Sequence, residues 1–214
     1  MQPENPDIVA RVHPLDPDTT PFPPATYATT GRLGWAGIEA IRFHNPPASV
    51  VSLPPMTHHT LILFRRPPPR FEVRTEGICR NGPPPADSVI VVPAGREARW
   101  RWEGSIASLH IFLEPGVFDR AAEGFGLDPK RLEVPTLDGV HLPGLRAVML
   151  AVGDEMGGAA GNRLAAESLA ALLAVHLARH ASMPRVLAAG PDGRLPRARL
   201  GPSSITWRHT WIPT

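Results

Sequence analysis

The sequence predicts an α+β protein, a β-barrel or sandwich followed by an α-helical hairpin. Three observations carry this expectation. Ser88–Leu113 reads as three short strands joined by tight turns. Turn residues interrupt residues 34–114 at intervals that leave room for about seven strands. After Glu114-Pro115-Gly116 the apolar period changes from two to between three and four.

Within Ser88–Leu113, Val89–Val92 is a short β-branched apolar run that suits a buried strand, and Pro93-Ala94-Gly95 ends it. Ala98, Trp100 and Trp102 then alternate with Arg99, Arg101 and Glu103, the pattern of a half-buried antiparallel strand with two indoles inward. Gly104-Ser105 turns the chain into a third strand over Ile106–Leu113. Upstream, strands are expected over Gly34–Phe43, Val50–Leu53, Thr57–Arg65 and Phe71–Thr75. Residues 1–33, rich in Pro, Asp and Thr, read as an N-terminal arm, and 34–114 as the barrel.

Residues 115–183 read as helical. Val117, Phe118, Ala121, Ala122 and Phe125 have helical spacing, and Gly126 stops them. Leu132–Leu137 is a short extended segment. Pro143 suits a first helical position, followed by a stripe of Leu145, Val148, Met149, Val152 and Met156. Gly157, Gly158 and Gly161 break that helix. A longer one runs from about Asn162 to Ala181, its stripe being Leu169, Leu172, Leu173, His176 and Leu177. Such a hairpin needs cover, from the barrel or from a second copy of the chain. Residues 184–214 show no period and read as linker and tail.

Of the 214 residues 43% are apolar, enough to bury a core, and 27 prolines, well over the usual share of ~5%, stiffen the loops. The formal charge of +2 gives no case for nucleic-acid binding by charge alone. Cys79 is the single cysteine, which excludes a disulfide framework and a cysteine-based metal site. MQPENPD has neither a basic nor an apolar signal region, and no apolar run approaches the ~20 residues of a membrane span, so the expected location is cytoplasmic with no membrane partner.

The candidate ligand-facing residues are Phe43, His58, His59, Trp100, Trp102 and His110. The indoles suit either stacking on a small ligand or core packing, and a pocket beside them would be small and mostly apolar. Adjacent His58 and His59 point to opposite faces of a strand, so one of them at most faces a lumen. A cupin metal site needs His-x-His on one face, a carboxylate and a later His. Ala98 stands where the last would be, so no metal and no cofactor are expected. His176 and His180 are one helical turn apart, but His176 lies in the apolar stripe and reads as a core or interface histidine. There is no GxSxG, P-loop, HExxH or dinucleotide fingerprint.

GRLGWAGIEAIRF, THHTLILF, DSVIVVPAGREARWRW and RLAAESLAALLAVHLARH, in that order over roughly residues 30–183, resemble the N-terminal regulatory domain of AraC-type transcription regulators. The resemblance implies a cupin-like β-barrel that binds a small effector without a catalytic metal, and an arm able to fold over it. It also implies a helix pair that forms a homodimer, here through Leu169, Leu172, Leu173, His176 and Leu177. Family members continue into two helix-turn-helix motifs, whereas this chain stops at Thr214 after GRLPRARL, which resembles the lead-in to them. Back-translated with free wobble choice and read two bases in, Ser203–Thr214 gives L-D-Y-M-E-A-H-L-D-S-D, a helix-like string. A truncated or frameshifted regulator is therefore the expectation, with DNA a partner only where a helix-turn-helix domain is present. Two alternatives stand beside it: a small cupin-type, isomerase-like enzyme using His58 or His59 with His110 as acid and base, and a dominant-negative dimerisation partner.

Overall fold

The computed structural model describes residues 13–15, 27–157 and 162–182. The tail expected at 184–214, most of the arm and the Gly158–Gly161 turn lie outside the described residues. Ten strands form two antiparallel sheets. They are β1 (Tyr27–Thr29), β2 (Ile38–His44), β3 (Ser49–Leu53), β4 (His59–Arg66), β5 (Arg70–Thr75), β6 (Ile78–Asn81), β7 (Val89–Val92), β8 (Ala98–Glu103), β9 (Ala107–Leu113) and β10 (Leu137–Val140). The larger sheet has the order β1-β2-β9-β4-β7-β10, the smaller β3-β8-β5-β6. Among the described residues there are three α-helices, α1 (Pro115–Gly124) before β10, and α2 (Pro143–Glu155) and α3 (Arg163–Ser182) after it. This is the expected α+β architecture, a barrel of two antiparallel sheets with α-helices toward the C-terminal end.

The two sheets differ in what covers them, and their sequences show it. β8 alternates buried Ala98, Trp100 and Trp102 with exposed Arg99 and Arg101, because its outer face meets solvent. Arg70 and Arg101 hold Glu103 on that outer face at 2.7 and 3.3 Å. β4 is buried from His59 through Phe64 without alternation. Leu61 and Leu63 pack beneath the helices, while Ile62 and Phe64 face the smaller sheet. The larger sheet is therefore the middle layer, with the barrel lumen on one face and the helices on the other.

Two short strands extend the barrel beyond its expected limits of 34 and 114. β1 pairs with β2 in the register Tyr27↔Phe43 and Thr29↔Ile41. β10 pairs with β7 through Leu137↔Val91 and Val140↔Val89. β6, also absent from the sequence expectation, pairs with β5. Arg80 of β6 donates to the Asp138 carboxylate of β10 at 2.6 Å and to the Asp138 carbonyl at 3.1 Å, tying the two sheets together along one edge. Each of these strands has only three or four residues, too few for an alternation to register.

The helices close over the larger sheet. At Gly37 a β-carbon would stand 2.7 Å from Val117 Cγ2 of α1, and φ is +78°, so this close approach needs glycine on both counts. The Arg42 guanidinium donates to the Gly153 carbonyl in the last turn of α2, where cationic groups are favoured. α3 buries Ala166, Ala170, Leu173, Ala174, Leu177 and Ala178, an alanine-rich face that lets it lie close. Among the described residues no helix is long and apolar enough to cross a membrane.

Candidate functional site

The lumen is built from the inward positions of both sheets. β8 sets Trp102 opposite Phe71 and Trp100 opposite Val73 on β5, and Val51 of β3 flanks Trp100 on the other side. From the larger sheet come Ile41 and Phe43, Thr60, Ile62 and Phe64, and His110 and Phe112. They line a partly open cavity of about 90 Å³. Phe71 lies between Phe64 and Trp100, with ring centroids at 5.2 and 5.9 Å, so a connected set of aromatic rings forms one wall. Pro14 lines the cavity and is buried, and Leu15 packs on Ile41, Phe43 and Phe112. One short piece of the arm thus covers the lumen.

Few polar groups face this space. His110 sits inside the wall, its Nε2 3.1 Å from Ser108 Oγ and its ring edge-to-face with Phe43 at 4.9 Å. The ring lines the lumen, and burial pushes its pKa down to about 3. The Trp100 indole N–H is buried and has no hydrogen-bond partner among the described residues. Thr60 and Arg96 complete the polar lining.

Four of the six expected ligand-facing residues come together here: Phe43, Trp100, Trp102 and His110. His59 does not. It shares the outward face of β4 with Leu61 and Leu63, edge-to-face with Phe118 of α1 at 5.8 Å. Its Nδ1 accepts the Ala94 N–H at 3.0 Å, so it braces the Pro93-Ala94-Gly95 turn. Burial, then the neighbouring His58, pushes its pKa down to about 4. His58 lies just before the start of β4.

There His58 belongs to a cluster that the spacing of the sequence does not reveal. His13, Glu39 and His58 each place a nitrogen or carboxylate oxygen within 4.8 Å of the others. His13 Nε2 is 3.6 Å from Glu39 Oε2. That oxygen is buried and has no hydrogen bond among the described residues. His58 Nδ1 lies 2.8 Å from Thr57 Oγ1. Glu114, which accepts the Gly37 N–H at 3.3 Å, is close enough to act on both Glu39 and His58. Burial raises the Glu39 pKa above the usual carboxylate value against the pull of His13, and burial lowers that of His58. No motif links positions 13, 39 and 58. Only the arm and the register of β2 with β9 and β4 bring them together.

The expected dimer seam divides between the inside and the outside of the chain. Leu173 and Leu177 are fully buried against the barrel, so that part of the expectation is corrected. His176 packs on Gly144 of α2, and Leu169 is partly buried on the same core. Leu172 is 47% exposed, and Leu164, which the sequence did not single out, is 71% exposed.

No model of a known protein family matches the chain, and no curated protein matches it. Among solved structures it is similar to the AraC-like transcriptional activator CuxR, with 11% identity and a TM-score of 0.44 over 68% of this chain and 52% of that one. It is also similar to apo ToxT from Vibrio cholerae, at 8% identity and a TM-score of 0.42 over 65% of this chain and 54% of that one. The Schizosaccharomyces pombe Cnp3 cupin domain matches at 12% identity and a TM-score of 0.35, over 47% of this chain and 70% of that one. The chain spans about half the length of the two regulators.

Proposed function

We propose that this chain is an effector-sensing and dimerisation domain of the AraC-regulator type, and that its barrel lumen takes one small, largely apolar molecule with a single acceptor oxygen. The aromatic-walled lumen carries this reading. Its walls are apolar and its polar groups few, the usual make-up of a small-molecule site. The unpartnered Trp100 N–H offers a donor to a hydroxyl or carbonyl oxygen, and the neutral His110 ring stands in the same wall. Size narrows the class. A dry cavity of about 150 Å³ holds benzene. At about 90 Å³ this lumen suits a ligand of a few heavy atoms, or a single small ring with some give in the side chains.

The placement of the histidines weighs against the enzyme alternative. His59 and His110 lie on opposite faces of the larger sheet and cannot serve one substrate. His110 pairs with Ile62 and is separated from His58 by the Thr60–Phe112 rung. Dimerisation is assigned to the exposed side of α3, where Leu164, Ala171 and Leu172 lie outward.

A thermal-shift titration with cyclopentanol and phenol tests the lumen. Wild type is expected to show a saturable rise in Tm that the lumen-filling variant Ala98→Leu loses while staying folded. A rise of equal size in both proteins would place binding elsewhere and remove the basis of the proposal.

A further inference from the structure

We infer that His13, Glu39 and His58 form a binding site for a first-row divalent cation of the zinc class, at the junction between the arm and the barrel. Two imidazoles and one carboxylate are a donor set that such ions favour. The spacing suits it. Bonds of about 2.1 Å in a tetrahedral site put neighbouring donors about 3.4 Å apart, and His13 Nε2 and Glu39 Oε2 already stand at 3.6 Å. The third donor lies within 4.8 Å of both, so a small side-chain adjustment closes the set.

The surroundings support a ligand rather than a plain ion pair. Among the described residues Glu39 Oε2 is buried without a hydrogen bond, the kind of acceptor a protein leaves unsatisfied at a cost unless something occupies it. Thr57 Oγ1 engages His58 Nδ1, which orients the ring and leaves Nε2 available. Glu114 adds negative charge beside the site. The His13 side chain is half exposed, which gives an ion a way in. Coordination through His13 Nε2 puts the ring proton on Nδ1, which then no longer accepts the Leu15 N–H now 3.3 Å away. Metal uptake and the local fit of residues 13–15 over the lumen are therefore coupled.

None of the three ligands lines the lumen, so the test of this site is separate from the test of the lumen's ligand. The whole chain, stripped with a chelator, is titrated with Zn²⁺ by calorimetry and with Co²⁺ by visible absorption. One ion per chain is expected, with the d–d bands of a nitrogen- and oxygen-bound Co²⁺. His13→Gln, Glu39→Gln and His58→Gln should each weaken binding by at least about 100-fold, since losing even a supporting contact costs 10–100-fold. His13→Gln alters a half-exposed side chain, so it keeps the test valid if a more buried variant fails to fold. Exposed His44 and His141 serve as controls, and changing either to Gln should leave binding intact. Binding that persists in all three cluster variants, or that disappears with a control histidine, would overturn the assignment, as would the absence of stoichiometric uptake.

Discussion

The imidazole of His176 in α3 packs directly on the backbone of Gly144 in the first turn of α2, in the space a β-carbon would occupy. The contact makes His176 part of the chain's own helix–helix interface. It also fixes how close α2 and α3 approach, and so how both cover the outer face of the larger sheet.

Gly144→Ala is therefore expected to destabilise the fold by about 1–3 kcal/mol, the usual penalty of overpacking. His176→Ala in the same chain should recover much of the loss. Chemical denaturation of the two single variants and the double variant measures the coupling. Additive effects would show that the two residues do not meet.

Leu172 and Leu173 are neighbours with opposite environments, 47% and 0% exposed. Leu173→Ala should cost about 2–5 kcal/mol as a core cavity. Leu172→Glu should leave stability within about 0.5 kcal/mol and turn a dimer into a monomer by light scattering. A dimer unchanged by Leu172→Glu would exclude the outer face of α3 as the seam.

Acid should unfold the protein early. The unfolded chain has ordinary histidines near pH 6.5, whereas His59 and His110 titrate at about 4 and about 3 when folded. Below pH 6.5 the unfolded state binds more protons, so stability falls as the pH drops toward 3. His58 contributes in the same direction, and Glu39, whose pKa is raised, opposes it. Denaturant midpoints between pH 7 and pH 4 read this out. His59→Gln should flatten the profile, and an unchanged slope would contradict the buried, neutral state of His59.

How much was legible in the sequence follows from what each residue's role depends on. The inward Trp100 and Trp102 were plain because β8 is wet on one side and its alternation is strict. β4 reads as a continuous apolar run, so nothing local says that His59 faces α1 while Ile62 faces the lumen. α3 is apolar or alanine through most of Ala165–Ala178, which blurs the phase of its stripe. Leu173 and Leu177 therefore read as a seam when they are core, and the buried alanines carried no signal. The His13–Glu39–His58 cluster was illegible because its members lie on separate segments joined only by tertiary pairing.

The central claim is an apolar, aromatic-walled lumen able to take a small guest, and xenon tests it most directly. Crystals of the chain pressurised with xenon should show one well-occupied site among Phe43, Trp100 and Phe112, because dry apolar cavities bind this gas. The site should be lost in Ala98→Leu. A lumen without xenon, or one filled by a chain of ordered waters, would contradict the account.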